Sequence, residues 1–282
     1  MTDAYAENMG RDEPEAQRLD EQFALLKRNI GYVVHPSITQ QLPASPRIAD
    51  VATGTAVCLR TLHADAAFPS TTHFSGFDIS AALFPPASSL PPNISLHELD
   101  IKAPIPEALK GQFDVVHVSL LAAGVEPAEW PHVVANTAQL LAPGGWLQWT
   151  ECNWAAAKCL RGLPSSRVRV ADKWRSRFAS ALGEKFTVGW SSLADNMRAA
   201  GLESVDWEAV SSDRVVETRE AGARNSMKAV FAWVDIMVGR GAYKEVGEEE
   251  LRRDKQVVEE EIGEGCYVRF DVYTVMGRRP GV

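Results

Sequence analysis

Cysteine is scarce in this chain, with 4 among 282 residues, and no two of them form a Cys-x-x-Cys pair. Cys58, Cys152, Cys159 and Cys266 are therefore read as buried reduced thiols, without a disulfide framework or metal-ligand spacing. No apolar run is long enough to span a membrane. The first residues are polar and acidic rather than signal-like, so a cytoplasmic protein with no membrane partner is expected. A basic stripe is also missing. The net charge is −8, which argues against a nucleic-acid partner. There is no Gly-x-Ser-x-Gly elbow, so serine-hydrolase chemistry is excluded. Neither a Walker lysine nor a Gly-x-Gly-x-x-Gly turn occurs, which speaks against a phosphate loop and a dinucleotide site.

What remains is ordinary globular material, 45% hydrophobic and 23% charged. Residues 1–14 are expected to be disordered, and residues 15–282 to form a single domain. An amphipathic helix over 15–32 carries Leu19, Phe23, Leu25, Leu26 and Ile30 at helical spacing. Strands are then expected at 47–51, 73–79, 94–99, 113–118 and 146–150, with helices at 57–66 and 130–141 among them. That alternation implies a parallel sheet with helices on both faces, in a core spanning 45–150. Beyond it the pattern predicts helices at 159–186, 191–200, 227–238 and 245–262, with strands at 203–210 and 267–276. The reading is a Rossmann-like α/β domain of seven strands, with helical insertions at 155–200 and 222–262 around strand six. Those insertions are left as a lid or a homodimer surface.

The stretch Asp50-Val51-Ala52-Thr53-Gly54-Thr55-Ala56 is the chemical centre of this pattern. A strand running into a glycine turn and a helix is where a doubly wound sheet meets the polar part of a nucleotide-like ligand. Asp78 ends strand two, about twenty residues beyond the turn, where a carboxylate accepts hydrogen bonds from ribose hydroxyls. Asp100 follows strand three, able to accept from an exocyclic amino group, with Ile101 beside it to pack on a purine. Each acid taken alone is equally a loop residue or a helix cap.

These residues resemble the class I S-adenosylmethionine-dependent methyltransferases. More narrowly, they resemble the fungal secondary-metabolite group that includes the gliotoxin N-methyltransferase. The resemblance rests on Tyr32-Val33-Val34-His35-Pro36-Ser37-Ile38, on the 50–56 turn, on Gly76-Phe77-Asp78-Ile79-Ser80, on 111–118 and on 141–149. It implies S-adenosylmethionine as cofactor and methyl transfer to an oxygen or nitrogen of a small natural product. It implies that Asp50 and the Ala52–Ala56 turn, with Thr53 and Gly54, face the methionine end, that Asp78 holds the ribose, that Asp100 and Ile101 contact the adenine, and that Ile79 also belongs to the cofactor site. His117, Val118 and Ser119 would border the cofactor and open onto the substrate. The chain departs from the group at Ala52 and Ala56, where glycine is typical, and at Ser119, where arginine is common.

Methyl transfer from a sulfonium needs alignment, desolvation and sometimes a base. His117 and His35 are the candidate bases. Each also has a plain structural reading, as a packed ring for His117 and a turn-closing residue for His35. Trp149, Trp154, Trp174, Trp190 and Trp233 are candidate cavity walls or plain core. Glu151 either orients a substrate or is solvated. No metal is expected. Two other functions stay open: a cyclase of the same fold acting without methyl transfer, and an inactive regulatory partner.

Overall fold

The computed structural model describes residues 5–243 and 246–281. Its strands are β1 (Arg47–Val51), β2 (His73–Asp78), β3 (Ile94–Glu98), β4 (Phe113–Ser119), β5 (Leu141–Cys152), β6 (Lys158–Arg161), β7 (Glu203–Ser211), β8 (Cys266–Arg269) and β9 (Asp271–Arg278). Its α-helices are α1 (Glu13–Ile30), α2 (Pro36–Thr39), α3 (Val57–His63), α4 (Trp130–Gln139), α5 (Arg169–Ala199), α6 (Arg219–Gly239) and α7 (Glu248–Gly263). Seven strands form one sheet in the order β3-β2-β1-β4-β5-β9-β7. β1 to β5 pair in parallel, and β9 runs antiparallel to β5 and β7. The strand order reverses between β1 and β4, so a crevice opens beyond their carboxyl ends.

Side chains alternate across the sheet, and the two faces carry different cores. Ile48 and Val115 join α3 residues Cys58, Leu59 and Leu62 on one face. Ala49, Val51, Val116 and Val118 join α4, α5 and α6 on the other. Helices thus cover both faces, as expected. Only 3-10 turns connect β2, β3 and β4, so that edge is thinner than a regular strand-helix alternation gives.

Several expectations are corrected outside the sheet centre. Residues 5–12 are packed: Asn8 and Met9 are buried, and Asp12 caps α1 by accepting from Glu15 N–H at 3.0 Å. Residues 1–4 lie outside the described residues. The helix expected from 159 starts as strand β6, which pairs with β8 as a separate ribbon. The two helices expected at 159–186 and 191–200 are one 31-residue helix. The apparent break at Gly189 has a packing cause. A methyl there would lie 3.0 Å from Ala122 Cβ and 3.1 Å from the Trp130 ring, so glycine lets α5 approach α4 and the turn after β4 closely. The strand expected at 267–276 splits at Phe270, whose ring is buried and stacks on Trp154 with centroids 5.5 Å apart. The helix expected from 245 begins at Glu248, and residue 245 lies outside the described residues. Its acids reach across to α5, with Glu250 and Asp254 accepting from Lys173 Nζ at 3.0 and 2.7 Å.

The irregular first part of β5, where its register against β4 shifts, depends on Gly145, whose Cβ would sit 2.8 Å from Phe113 O and 3.0 Å from Ala142 O. Both are backbone atoms and cannot swing away. Gly145→Ala is expected to cost about 2 kcal/mol or more of unfolding free energy in urea titration. An unchanged midpoint would contradict this packing.

Candidate active site

The site is built on the five residues between β1 and α3. Ala52, Gly54 and Ala56 have φ of 60°, 51° and 59°, so every second residue of the turn is left-handed. Glycine adopts this conformation freely, whereas alanine pays about 1 kcal/mol or more at each position. The typical glycines of the group therefore have a backbone reason, and this chain keeps the backbone without two of them. The two alanines differ in consequence. Ala56 is fully buried and off the cavity wall, so its methyl does not face a ligand, while Ala52 lines the cavity.

Two carboxylates hold the turn. Asp50 Oδ2 accepts from Thr53 Oγ1 at 2.7 Å, and Asp50 Oδ1 lies 2.7 Å from His117 Nδ1. A carboxylate only accepts, so Nδ1 carries the hydrogen. Asp78 Oδ2 accepts from Gly54 N–H at 2.9 Å, and its Oδ1 from Ser80 N–H at 3.2 Å. Burial pushes the Asp78 carboxyl above its ordinary range, and these two backbone donors partly offset it. Cys58 Sγ lies 3.5 Å from His117 Nδ1, and burial, then the Asp50 charge, push its thiol well up. Asp50, Cys58 and His117 place donor atoms within 4.8 Å of one another. The 2.7 Å between Asp50 and His117 is a hydrogen-bond distance. Two ligands of one tetrahedral metal stand about 3.3 Å apart.

Above the turn lies a cavity of about 250 Å³ at the carboxyl ends of β1 and β4. Asp50, Ala52, Thr53, Gly54, Asp78, Ile79, Asp100, Ile101, His117 and Ser119 all line it. Ile79 is a large apolar side chain left 38% exposed beside Asp78. Two sequence candidates do not line the cavity. Val118 points to the opposite face from His117, into the α4–α5 core, because neighbouring strand residues alternate. His35 closes its turn instead: its Nδ1 accepts from Ser37 N–H at 3.2 Å, and its Nε2 lies 3.7 Å from Glu208. Of the five tryptophans considered, Trp154 lines the cavity. Trp149, Trp174 and Trp233 are buried core, and Trp190 stacks on Tyr273.

The structure adds Arg18, which the sequence did not single out, and places Glu151, which the sequence left as either substrate-orienting or solvated. Arg18 of α1 is buried on the cavity wall. Its Nε and Nη2 donate to Glu15 at 2.8 and 2.5 Å, and Nη1 has no partner among the described residues. Burial works against its charge, but Glu15 more than compensates and holds the pKa above its ordinary value. Glu151, at the end of β5, is fully buried and also on the wall, not solvated. Its Oε1 accepts from Leu121 N–H at 2.7 Å and Trp149 Nε1 at 3.0 Å, while Oε2 has no partner among the described residues. Burial pushes this carboxyl up to about 7, against the lowering effect of the Trp149 indole and of the backbone N–H groups of Leu121, Ala122 and Cys152 that face it. The Leu121 contact ends a turn in which Leu120 is held at φ 55°, a strained value for a bulky side chain.

The methyltransferase-domain family model matches residues 48–145, from β1 to the start of β5. The methyltransferase grgD of a Penicillium species is 31% identical over 230 residues, covering 76% of this chain and 76% of that protein. The N-methyltransferase sirN of Leptosphaeria maculans is 36% identical over 200 residues, covering 71% of this chain and 65% of that one. The N-methyltransferase tcpN of Claviceps purpurea is 35% identical over 150 residues, and the match spans 53% of each. Among solved structures, a chain of the Haloferax volcanii complex of the Trm112 methyltransferase activator covers 96% of this chain and 99% of its own length. It has a TM-score of 0.50 and 15% identity, a likeness of fold.

Glu151 gives the site a pH signature. In the unfolded chain the group titrates near its ordinary 4.5, and in the fold near 7. Between those values folding takes up a proton, so this residue's contribution to stability is full below about pH 4.5 and lost as pH rises through 7. The loss is about 3 kcal/mol. Urea titrations at pH 5 and pH 8 should show a smaller stability difference in Glu151→Gln than in the parent. Equal differences would contradict the burial of an ionisable Glu151.

Proposed function

The chain belongs to the class I S-adenosylmethionine-dependent methyltransferases of fungal secondary metabolism, enzymes that methylate natural products, and from that premise we propose that its cavity binds S-adenosylmethionine and methylates a nitrogen of a small substrate. One observation carries the reading. Three alternating left-handed residues lie beneath a cavity whose rim offers Asp78 and Asp100 side by side with Ile79 and Ile101.

The residues fit the parts of the cofactor. Asp78 uses one lone pair of an oxygen on Gly54 N–H and retains acceptor capacity for ribose hydroxyls. Ile79 and Ile101 offer apolar surface to the adenine, and Asp100 offers an acceptor to its amino group. Arg18 Nη1, buried and unpartnered among the described residues, suits the carboxylate of the methionine end. Ala52 narrows the turn by one methyl relative to glycine, which weakens the fit without closing the cavity.

When bound, the cofactor supplies an activated methyl group on its sulfonium sulfur, so the chain needs no nucleophile of its own. The protein's task is to align the acceptor, exclude water and receive a proton. His117 lies on the cavity wall with Nδ1 committed to Asp50, and in this reading it supports the turn from beneath. The choice of nitrogen over oxygen is supported by the relatives, two of which are N-methyltransferases.

Calorimetry with S-adenosylhomocysteine should give saturable binding. Asp78→Asn and Arg18→Met should each weaken it about tenfold or more, the worth of a charge-assisted hydrogen bond. Incubation with methyl-labelled cofactor and extracted fungal metabolites should label a product on nitrogen. Absence of S-adenosylhomocysteine binding would overturn the proposal. Binding with conversion of a metabolite but no label would favour a cyclase instead.

A further inference from the structure

The methyl acceptor must lose a proton, and one buried group on the cavity wall has a vacant position for it. Glu151 splits its two oxygens between different tasks. Oε1 is occupied by Leu121 N–H and the Trp149 indole, and this fixes the carboxyl plane. Oε2 is buried with no hydrogen-bond partner among the described residues. An acceptor in this state costs free energy unless a ligand donor completes it. The surrounding wall is apolar and aromatic. Leu121, Ala122, Cys152, Trp154, Phe178 and Phe186 line the same cavity. Trp154 lies edge-on to Phe178 with centroids 5.4 Å apart, and Phe178 lies 5.6 Å from Phe186.

Building on the reading above, we propose that Glu151 is the proton acceptor for the substrate, and that the substrate presents an N–H group on a flat aromatic body. The aromatic body packs among Trp154, Phe178 and Phe186, and its N–H donates to Glu151 Oε2. As nitrogen gains the methyl group, the methyl's former bond to the sulfonium sulfur breaks with its electron pair left on sulfur, and the N–H bond breaks. Its electron pair stays on nitrogen, and the proton forms an O–H bond at Oε2. The neutral carboxylic acid then returns the proton to water after the product leaves.

His117 is the competing acceptor, because Asp50 on its Nδ1–H leaves Nε2 with a lone pair; it packs beside Cys58 under the turn, away from the Trp154, Phe178 and Phe186 rings. Glu151 has its unused atom at the start. A carboxyl pushed up to about 7 is also matched to accepting a proton near neutral pH. The titratable groups on the elements around it are few. Cys152 follows it on β5, Tyr273 stands opposite on β9, and His117 lies two residues before Ser119 on β4. The buried face of α5 contributes only apolar residues and glycine.

The test uses full-length protein saturated with S-adenosylhomocysteine, with indole and 1-methylindole as probes in ligand-observed NMR titration. Indole should bind about tenfold more tightly than its N-methyl isostere. Its affinity should rise as pH is raised from 6 to 8.5, because ionisation turns Glu151 from a donor into an acceptor, while that of 1-methylindole stays flat. Glu151→Gln can keep the Oε1 contacts, but it places an amide NH₂ where Oε2 stood, facing the ligand's donor. The indole preference and its pH dependence should then disappear. Thermal unfolding at pH 5 and S-adenosylhomocysteine affinity should remain as in the parent, which separates a lost proton acceptor from a damaged fold. A preference that survives Glu151→Gln overturns the proposal, as does failure of both probes to bind. Either result with S-adenosylhomocysteine still bound leaves the cofactor reading standing; loss of S-adenosylhomocysteine binding by the parent would remove both.

Discussion

Two carboxylates receiving the donors of one short turn are the constraint on which the site depends. Asp50 engages Thr53 and His117, and Asp78 engages Gly54. These bonds hold a run in which every second residue is left-handed, which an alanine-bearing chain would not adopt by itself. They also join β1, β2 and β4 at their carboxyl ends, where the strand order reverses. The crevice is therefore fixed by hydrogen bonds that are buried at Asp50 and part-buried at Asp78, and Asp78 keeps acceptor capacity at its edge.

The cavity walls come from parts of the chain far apart in sequence. α1 lays Leu19 and Arg18 over the turn, the segment before it contributes Tyr5 and Met9, and α5 brings Phe178 and Phe186. Tyr5 donates to Glu15 at 2.7 Å, so the N-terminal segment is tied to the same carboxylate that holds Arg18. The polar groups are arranged unevenly. A buried cation and a buried carboxyl, Arg18 and Glu151, each have one atom without a partner among the described residues, Nη1 and Oε2, and both residues line one cavity. A folded protein seldom leaves such atoms idle, because each forfeits hydration without regaining a partner.

Much of the sheet was legible from local pattern. Apolar runs bounded by glycine, proline and acids marked β1 to β5 to within a residue or two, apart from the earlier start of β5. The strand ends then placed Asp50, Asp78 and His117 on the same rim. The rim candidates that line the cavity were recognisable because strand periodicity fixes which residues share an edge. Val118 failed by the same rule, since its neighbour His117 already occupies that face. His35 failed because proximity to a motif in sequence does not say which way a loop residue turns. Arg18 and Glu151 were passed over, or left ambiguous, because a cation on an amphipathic helix and an acid after a strand resemble solvated residues. Their burial follows from contacts made by α5, α6 and the N-terminal segment.

The sequence by itself determined the class of fold and the strand ends that meet at the cavity rim, since both rest on interactions between near neighbours along the chain. Tertiary structure alone decided that α5 is one helix, that β8 leaves the last strand to pair with β6, and that Arg18 and Glu151 lack a full set of partners among the described residues. Those outcomes depend on which distant surfaces exclude water from a residue, and no local spacing encodes that.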